Sequence, residues 1–215
     1  MSTHPGSQRF FESTRGRVVD HLRRGPATVD DIAAALGLTD NAVRAHLSTL
    51  ERDGFVRTDG VRRDGSVGKP AVLFRLDPAA EATLSRAYAP LLRAMLGALR
   101  QRLSPRGTRA VLREAGRRLA GGRPSAEGSL RERAAAGAAV LNELGGFATV
   151  DVSGGGSEVL IRGRGCALSE AVREDPRVCA AVTTMLAEVT GAAVRQRCEH
   201  GEFPQCCFEL AAKGE

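Results

Sequence analysis

The chain has 215 residues, 42% apolar and 26% charged, a composition ordinary for a soluble globular protein with room for two domains. It holds no Trp and one Tyr, which argues against an aromatic platform for stacking single-stranded bases. The stretch MSTHPGSQRFFESTRGR lacks the apolar core of a secretory signal, and no run nears the roughly 18 apolar residues of a membrane helix. A cytoplasmic protein without membrane partners is therefore expected. The net charge of +6 is unevenly spread. Residues 1–76 hold 12 Lys/Arg against 9 Asp/Glu, residues 77–133 hold 12 against 5, and residues 134–215 hold 7 against 11. A basic front and middle ahead of an acidic rear suggest an anionic partner, nucleic acid first among the candidates.

In chain order, Val18, Val19 and Leu22 mark a first helix that ends at Arg24-Gly25-Pro26. TVDDIAAALGL reads as a second, with Thr28 as cap, Asp30 and Asp31 in its first turn and Gly37 as its stop. Thr39 opens a third, DNAVRAHLSTLERDG, which stops at Gly54. Two short helices around a Gly-containing turn predict a helix-turn-helix whose second member enters the DNA major groove. On that member Val43, Leu47 and Leu50 form the apolar stripe. Asn41, Arg44, Ala45 and Ser48 face away from it. Arg pairs with guanine and Asn with adenine, so Arg44 and Asn41 are the candidate base readers, and Ser48 is placed to reach a base or phosphate. His46 flanks the stripe as a packing or phosphate-side residue.

Two β-prone stretches follow, Phe55 to Thr58 and Ala71 to Leu76, around a charged loop with Arg62, Arg63 and Lys69. A hairpin tipped with cations can track phosphates and contribute salt-dependent affinity. In TVDDIAAALGLTDNAVRAHLSTLERDGFV and VRRDGSVGKPAVLFRL, the order of helix, helix, recognition helix and hairpin resembles the winged-helix DNA-binding domain of ArsR-like and DeoR-like bacterial regulators.

From 77 to 120, Leu84, Tyr88, Leu91, Leu92, Met95, Leu96, Leu99 and Leu103 recur at helical spacing, broken at Ser104-Pro105 and resumed from Thr108 to Leu119. This stripe is read as a dimerisation region, since a palindromic operator calls for a two-fold homodimer. Gly121-Gly122-Arg123-Pro124 marks a connection. Beyond it come a helix over about 129–144, two strands around a Gly-rich turn in FATVDVSGGGSEVLIRG, a helix with Pro176 at its first position, and strands near Ala193–Gln196 and Cys207–Leu210. No Lys-Ser/Thr pair follows the Gly155-Gly156 turn, so it does not read as a phosphate loop. The whole is an α+β fold in three regions: a winged helix-turn-helix over 1–77, dimerisation helices over 78–121 and a small α+β sensor over 122–215.

All five cysteines, Cys166, Cys179, Cys198, Cys206 and Cys207, lie in that last region. In a reducing compartment such a set serves a metal, a cluster or redox chemistry more readily than disulfides. The spacings are C-x12-C, then 18 residues, then C-x7-C, without the C-x2-C knuckle of a small zinc domain. Ligands would have to meet through tertiary folding. Thiolates in loops and at a helix start suit an iron–sulfur cluster. An enzyme using a low-pKa cysteine would need a base, and only His200 is near in sequence.

The stretch GCALSEAVREDPRVCAAVTTMLAEVTGAAVRQRCEHGEFPQCCFEL, together with the winged helix, resembles the SufR-like iron–sulfur regulators, repressors of cluster-assembly operons. The resemblance implies a transcription repressor with a [4Fe–4S] or [2Fe–2S] cluster. It makes Cys166, Cys179 and one of Cys206 or Cys207 ligands, with Cys198 as the fourth. His200 or Glu199 could substitute, and Cys207 stands as the alternative to Cys206. Zinc, thiol oxidation or a small organic ligand are the other inputs open to such a regulator.

Overall fold

The computed structural model describes residues 5–63, 70–85, 87–153 and 158–212. The chain forms two compact units, Met1–Arg86 and Ala87–Glu215, in an α+β fold.

In the first unit, α1 (Pro5–Glu12) precedes α2 (Thr14–Leu22), α3 (Val29–Leu36), α4 (Asp40–Arg52), the hairpin β1 (Val56–Arg62) and β2 (Ala71–Leu76), and α5 (Pro78–Leu84). The caps are local. The Thr28 hydroxyl accepts from Asp31 N while the Asp31 carboxylate accepts from Thr28 N, and Gly37 ends α3 at φ 67°. Thr39 then caps α4. Val18, Val19, Ile32, Val43, Leu47 and Leu50 are buried together, so the apolar stripes of α2, α3 and α4 form one core. α1 carries no strong sequence signal. It is held because α2 approaches it closely at Gly16, where an added methyl would lie 2.0 Å from the Phe10 carbonyl oxygen.

The hairpin differs from the sequence expectation. β1 runs to Arg62 because a bulge between Thr58 and Val61, with Gly60 at φ 87°, absorbs the charged residues that read as loop. Ala27 also bonds Phe74 through both backbone groups at 2.9 Å, which fixes the hairpin beside α3.

In the second unit, α6 (Tyr88–Arg102) and α7 (Pro105–Ala120) lead into α8 (Leu130–Glu143), β3 (Ala148–Ser153), β4 (Glu158–Gly163), α9 (Ser169–Glu174), α10 (Cys179–Thr190), β5 (Ala193–Gln196) and β6 (Cys207–Ala211). The sheet is antiparallel in the order β3-β4-β6-β5, and α8 and α10 pack against it. Across it Ile161 faces Phe208, which faces Gln196, while Val159 faces Leu210, which faces Val194. This inner face joins Leu141, Met185 and Leu186 in the larger core.

The region read as 78–121 is divided between the units: α5 belongs to the first, and α6 and α7 to the second. There Leu96 and Leu112 are buried with Ala171, Val172, Val178 and Cys179. The backbones of α7 and α10 meet at Gly116, where an added methyl would lie 2.3 Å from the Ala181 carbonyl oxygen. Pro176 opens a 3-10 turn, Pro176–Val178, capped by Asp175, and α10 itself begins at Cys179.

Candidate functional site

The candidate reading surface of the first unit is α4. Its buried stripe leaves Asn41, Arg44 and Ser48 exposed, with His46 half-buried beside Leu47. Amide, guanidinium and hydroxyl groups are thus presented outward from a helix whose Thr39 cap and packed stripe fix its orientation.

The wing cations are arranged differently from expectation. Arg63 is exposed, and Lys69 lies outside the described residues. Arg62 is engaged within the domain: its guanidinium donates to the two Asp31 carboxylate oxygens at 2.8 and 2.9 Å and reaches the Thr28 hydroxyl at 3.4 Å. It ties the hairpin to the first turn of α3, and a phosphate would have to compete with a bidentate carboxylate for it. Asp31, 31 residues away, gave no sign of this role in the sequence.

The Arg62 guanidinium, followed by the Thr28 amide and hydroxyl, holds the Asp31 carboxyl well below the usual carboxylate range. A group whose pKa is lowered by folding stabilises the fold above its unfolded value near 4, and that contribution fades as pH falls through and below it. Asp31→Asn should therefore lower the melting temperature near pH 7. The gap from the unmodified protein should narrow as pH falls from about 5 to about 3, read by thermal denaturation across pH.

In the second unit four of the five cysteines meet. Cys166 lies in the turn after β4, Cys179 at the first position of α10, Cys198 after β5 and Cys206 just before β6. Cys166 and Cys198 pack against the core that holds Cys206, and Cys166 also packs against the smaller core that holds Cys179. Neighbouring thiols shift one another's acidity, Cys166 with Cys206, Cys206 with Cys198 and Cys198 with Cys179. All five are free thiols. The Cys207 amide donates to Cys198 Sγ at 3.4 Å, Cys206 N bonds Gly165 O at 3.2 Å, and His200 Nε2 lies 3.6 Å from Cys179 Sγ. Glu199 pairs through its backbone with Gln205, so the chain between Cys198 and Cys206 turns back on itself.

Cys207 is left out of this group. Side chains alternate along a strand, so Cys206, Phe208 and Leu210 share the inner face and Cys207 takes the other, opposite Arg162. Cys206 accordingly belongs to the larger core. That the two cysteines take opposite faces was legible in the sequence; which of them faces the other thiols was not.

The thiols differ in acidity by their partners. Bonds from Cys179 and then Cys206 push Cys198 down to about 3, with the Cys207 amide adding to them. The bond from Cys206 lowers Cys166 to about 7. Cys179 and Cys206, as donors to these sulfurs, are pushed up. Burial raises Cys207. Cys166 and Cys198 are thus pushed toward the thiolate and Cys179 and Cys206 toward the thiol. Among the described residues, no three of His, Cys, Asp or Glu converge on the position of one metal ion.

Residues 12–59 match a family model described as a helix-turn-helix domain. With the hairpin that follows, the first unit has the element order of a winged helix-turn-helix domain. No curated protein matches the chain in sequence. Among solved structures, the adhesin competence repressor AdcR of Streptococcus pyogenes is 19% identical over 46% of this chain and 72% of its own, with a TM-score of 0.29. The reduced form of the transcriptional regulator YodB of B. subtilis is 16% identical over 48% of this chain and 98% of its own, with a TM-score of 0.30. A mutant MepR from a multidrug-resistant clinical isolate of S. aureus is 20% identical over 55% of this chain and 88% of its own, with a TM-score of 0.31. No helix among the described residues is long and apolar enough to cross a membrane.

Proposed function

We propose that this chain is a transcriptional repressor that binds a palindromic operator as a homodimer, and that an iron–sulfur cluster held by Cys166, Cys179, Cys198 and Cys206 sets its affinity for DNA. The observation that supports this most is the meeting of four thiols from four separate segments. A cysteine quartet is the donor set of [2Fe–2S] and [4Fe–4S] centres, and amide-to-sulfur bonds like that from Cys207 to Cys198 tune them. Zinc fits less well, because the cysteine spacings lack the C-x2-C knuckle of a small zinc domain. When bound, the cluster would supply an occupancy that responds to iron, sulfide and oxidants.

The chain's own residues would carry the response. Cys179 shares a small core with Leu96 of α6 and Leu112 of α7, so a shift at the start of α10 must repack both helices. α6 exposes Tyr88, Leu91 and Met95, an apolar row that a second copy can cover. At the output, Asn41, Arg44 and Ser48 of α4 would meet base edges and phosphate, and Arg63 with Lys69 would follow the backbone. Arg62 would orient the wing through Asp31. A second reading rests on the Cys166–Cys206 and Cys198–Cys179 pairs: each could give up two protons and two electrons to an oxidant and close a disulfide.

Anaerobic purification with absorption spectroscopy and iron and sulfide analysis, followed by binding to duplexes selected from a random library, tests the proposal. Coloured, iron-bearing protein whose DNA affinity falls on oxidation is expected. A colourless, iron-free protein with unchanged affinity would overturn the cluster, and iron-free protein that oxidises reversibly with loss of affinity would establish the disulfide reading. Arg44→Ala is expected to cost about 1–3 kcal/mol of binding to the selected duplex and to relax its sequence preference, measured by titration against the selected and scrambled duplexes.

A further inference from the structure

We propose that α7 carries a second DNA contact, a stripe of arginines, Arg106, Arg109 and Arg113, that binds the phosphate backbone of duplex DNA. The inference rests on the reading of this chain as a DNA-binding regulator and adds a surface outside its winged helix.

All three side chains are exposed. They stand at i, i+3 and i+7 on α7, so they share one side of the helix, with rises of about 4.5 and 6 Å between them. A duplex offers one phosphate per strand for about every 3.4 Å of its axis, so a helix of this length spans several of them. The buried residues of α7 are Thr108, Leu112, Gly116 and Ala120, so the helix is anchored by a different row and holds the arginines in a fixed line.

The charge of this stripe is uncompensated. Arg117 and Arg118, further along α7, share Glu114 at 2.7 and 3.1 Å. Arg106, Arg109 and Arg113 make no ion pair among the described residues, and no acid lies in the first turn. Arg106 follows directly on Pro105, the first residue of the helix, at the positive end of the helix dipole. Helix stability by itself favours Asp or Glu there. An anionic ligand relieves both the mutual repulsion and the dipole conflict, and a guanidinium fork matches phosphate. A second copy of this chain placing the same stripe opposite would set like charges against each other.

The test compares the full-length protein with an Arg106→Gln/Arg109→Gln/Arg113→Gln variant on a long duplex containing a selected site, across salt concentrations. The plot of log affinity against log salt should become shallower by about 0.9 for each arginine that meets a phosphate. Affinity should fall alike for selected and scrambled sequence, leaving their ratio unchanged, and the melting temperature should be retained because all three positions are solvent-facing. An unchanged salt slope overturns the stripe. If the slope is unchanged and the variant instead loses binding to vesicles containing phosphatidylserine, the stripe serves a lipid surface and the DNA contact is overturned. Failure of the unmodified protein to bind any duplex would sink the regulator reading and the stripe with it, whereas normal binding by both proteins with equal slopes sinks the stripe alone.

Discussion

Cys206→Ser is expected to leave the anaerobically reconstituted protein with almost no iron or sulfide, whereas Cys207→Ser retains both. The two residues are adjacent and chemically identical, so the contrast isolates position. Cys206 pairs with Cys166 and Cys198 and lies with the inner face of the sheet. Cys207 lies on the opposite face across from Arg162, and its contribution to the thiol group is its backbone amide, which serine keeps. Iron and sulfide content per chain, with the visible absorption spectrum, reads the outcome. Equal loss in both variants would show that the sheet register does not separate them; loss in Cys207→Ser alone would reverse the assignment. Circular dichroism of both variants separates ligand loss from unfolding.

Phe208→Ala should give the largest loss of stability, about 3–5 kcal/mol, because a fully buried aromatic ring leaves a cavity that its neighbours fill only in part. Phe208 stands mid-sheet on β6, between Ile161 of β4 and Gln196 of β5. The loss approaches the whole stability of many domains. It should fall on the second unit, which has its own core. Hydrogen exchange should therefore show lost protection over α8, α10 and the four-stranded sheet while α2 to α4 keep theirs. Because Cys206 and Cys207 directly precede this residue, retention of iron should fall as well, and Phe208→Leu, with a smaller cavity, should recover most of both. Uniform loss of protection across both units would show that they unfold as one.

Much of the first unit could be read directly. The Thr28 and Thr39 caps and the Gly37 stop act within three or four residues, so the sequence contains all the partners. The same holds for the break at Ser104-Pro105, where Ser104 caps α7 and Pro105 opens it. Helical spacing likewise marked Val43, Leu47 and Leu50 as the buried stripe of α4, leaving Asn41, Arg44 and Ser48 outward.

What depended on distant partners could not be read this way. Arg62 looked like a wing-tip cation because its partner Asp31 is 31 residues away and the Gly60 bulge that lengthens β1 has no unique spelling. α6 and α7 read as a separate region because the residues that bury Leu96 and Leu112 come from α9 and α10. The five cysteines announced thiol chemistry by type and crowding, which are local properties of the chain. Choosing four of the five required the fold: the antiparallel pairing of β4 with β6 fixes which face each strand residue takes, and the turns at Cys166 and Cys198 bring their sulfurs to the face that holds Cys206. Sequence determines capping and periodicity because those interactions close within a turn or two; the sulfur set was decided by strand register, which is settled only when β4 and β6, far apart along the chain, come together and pair.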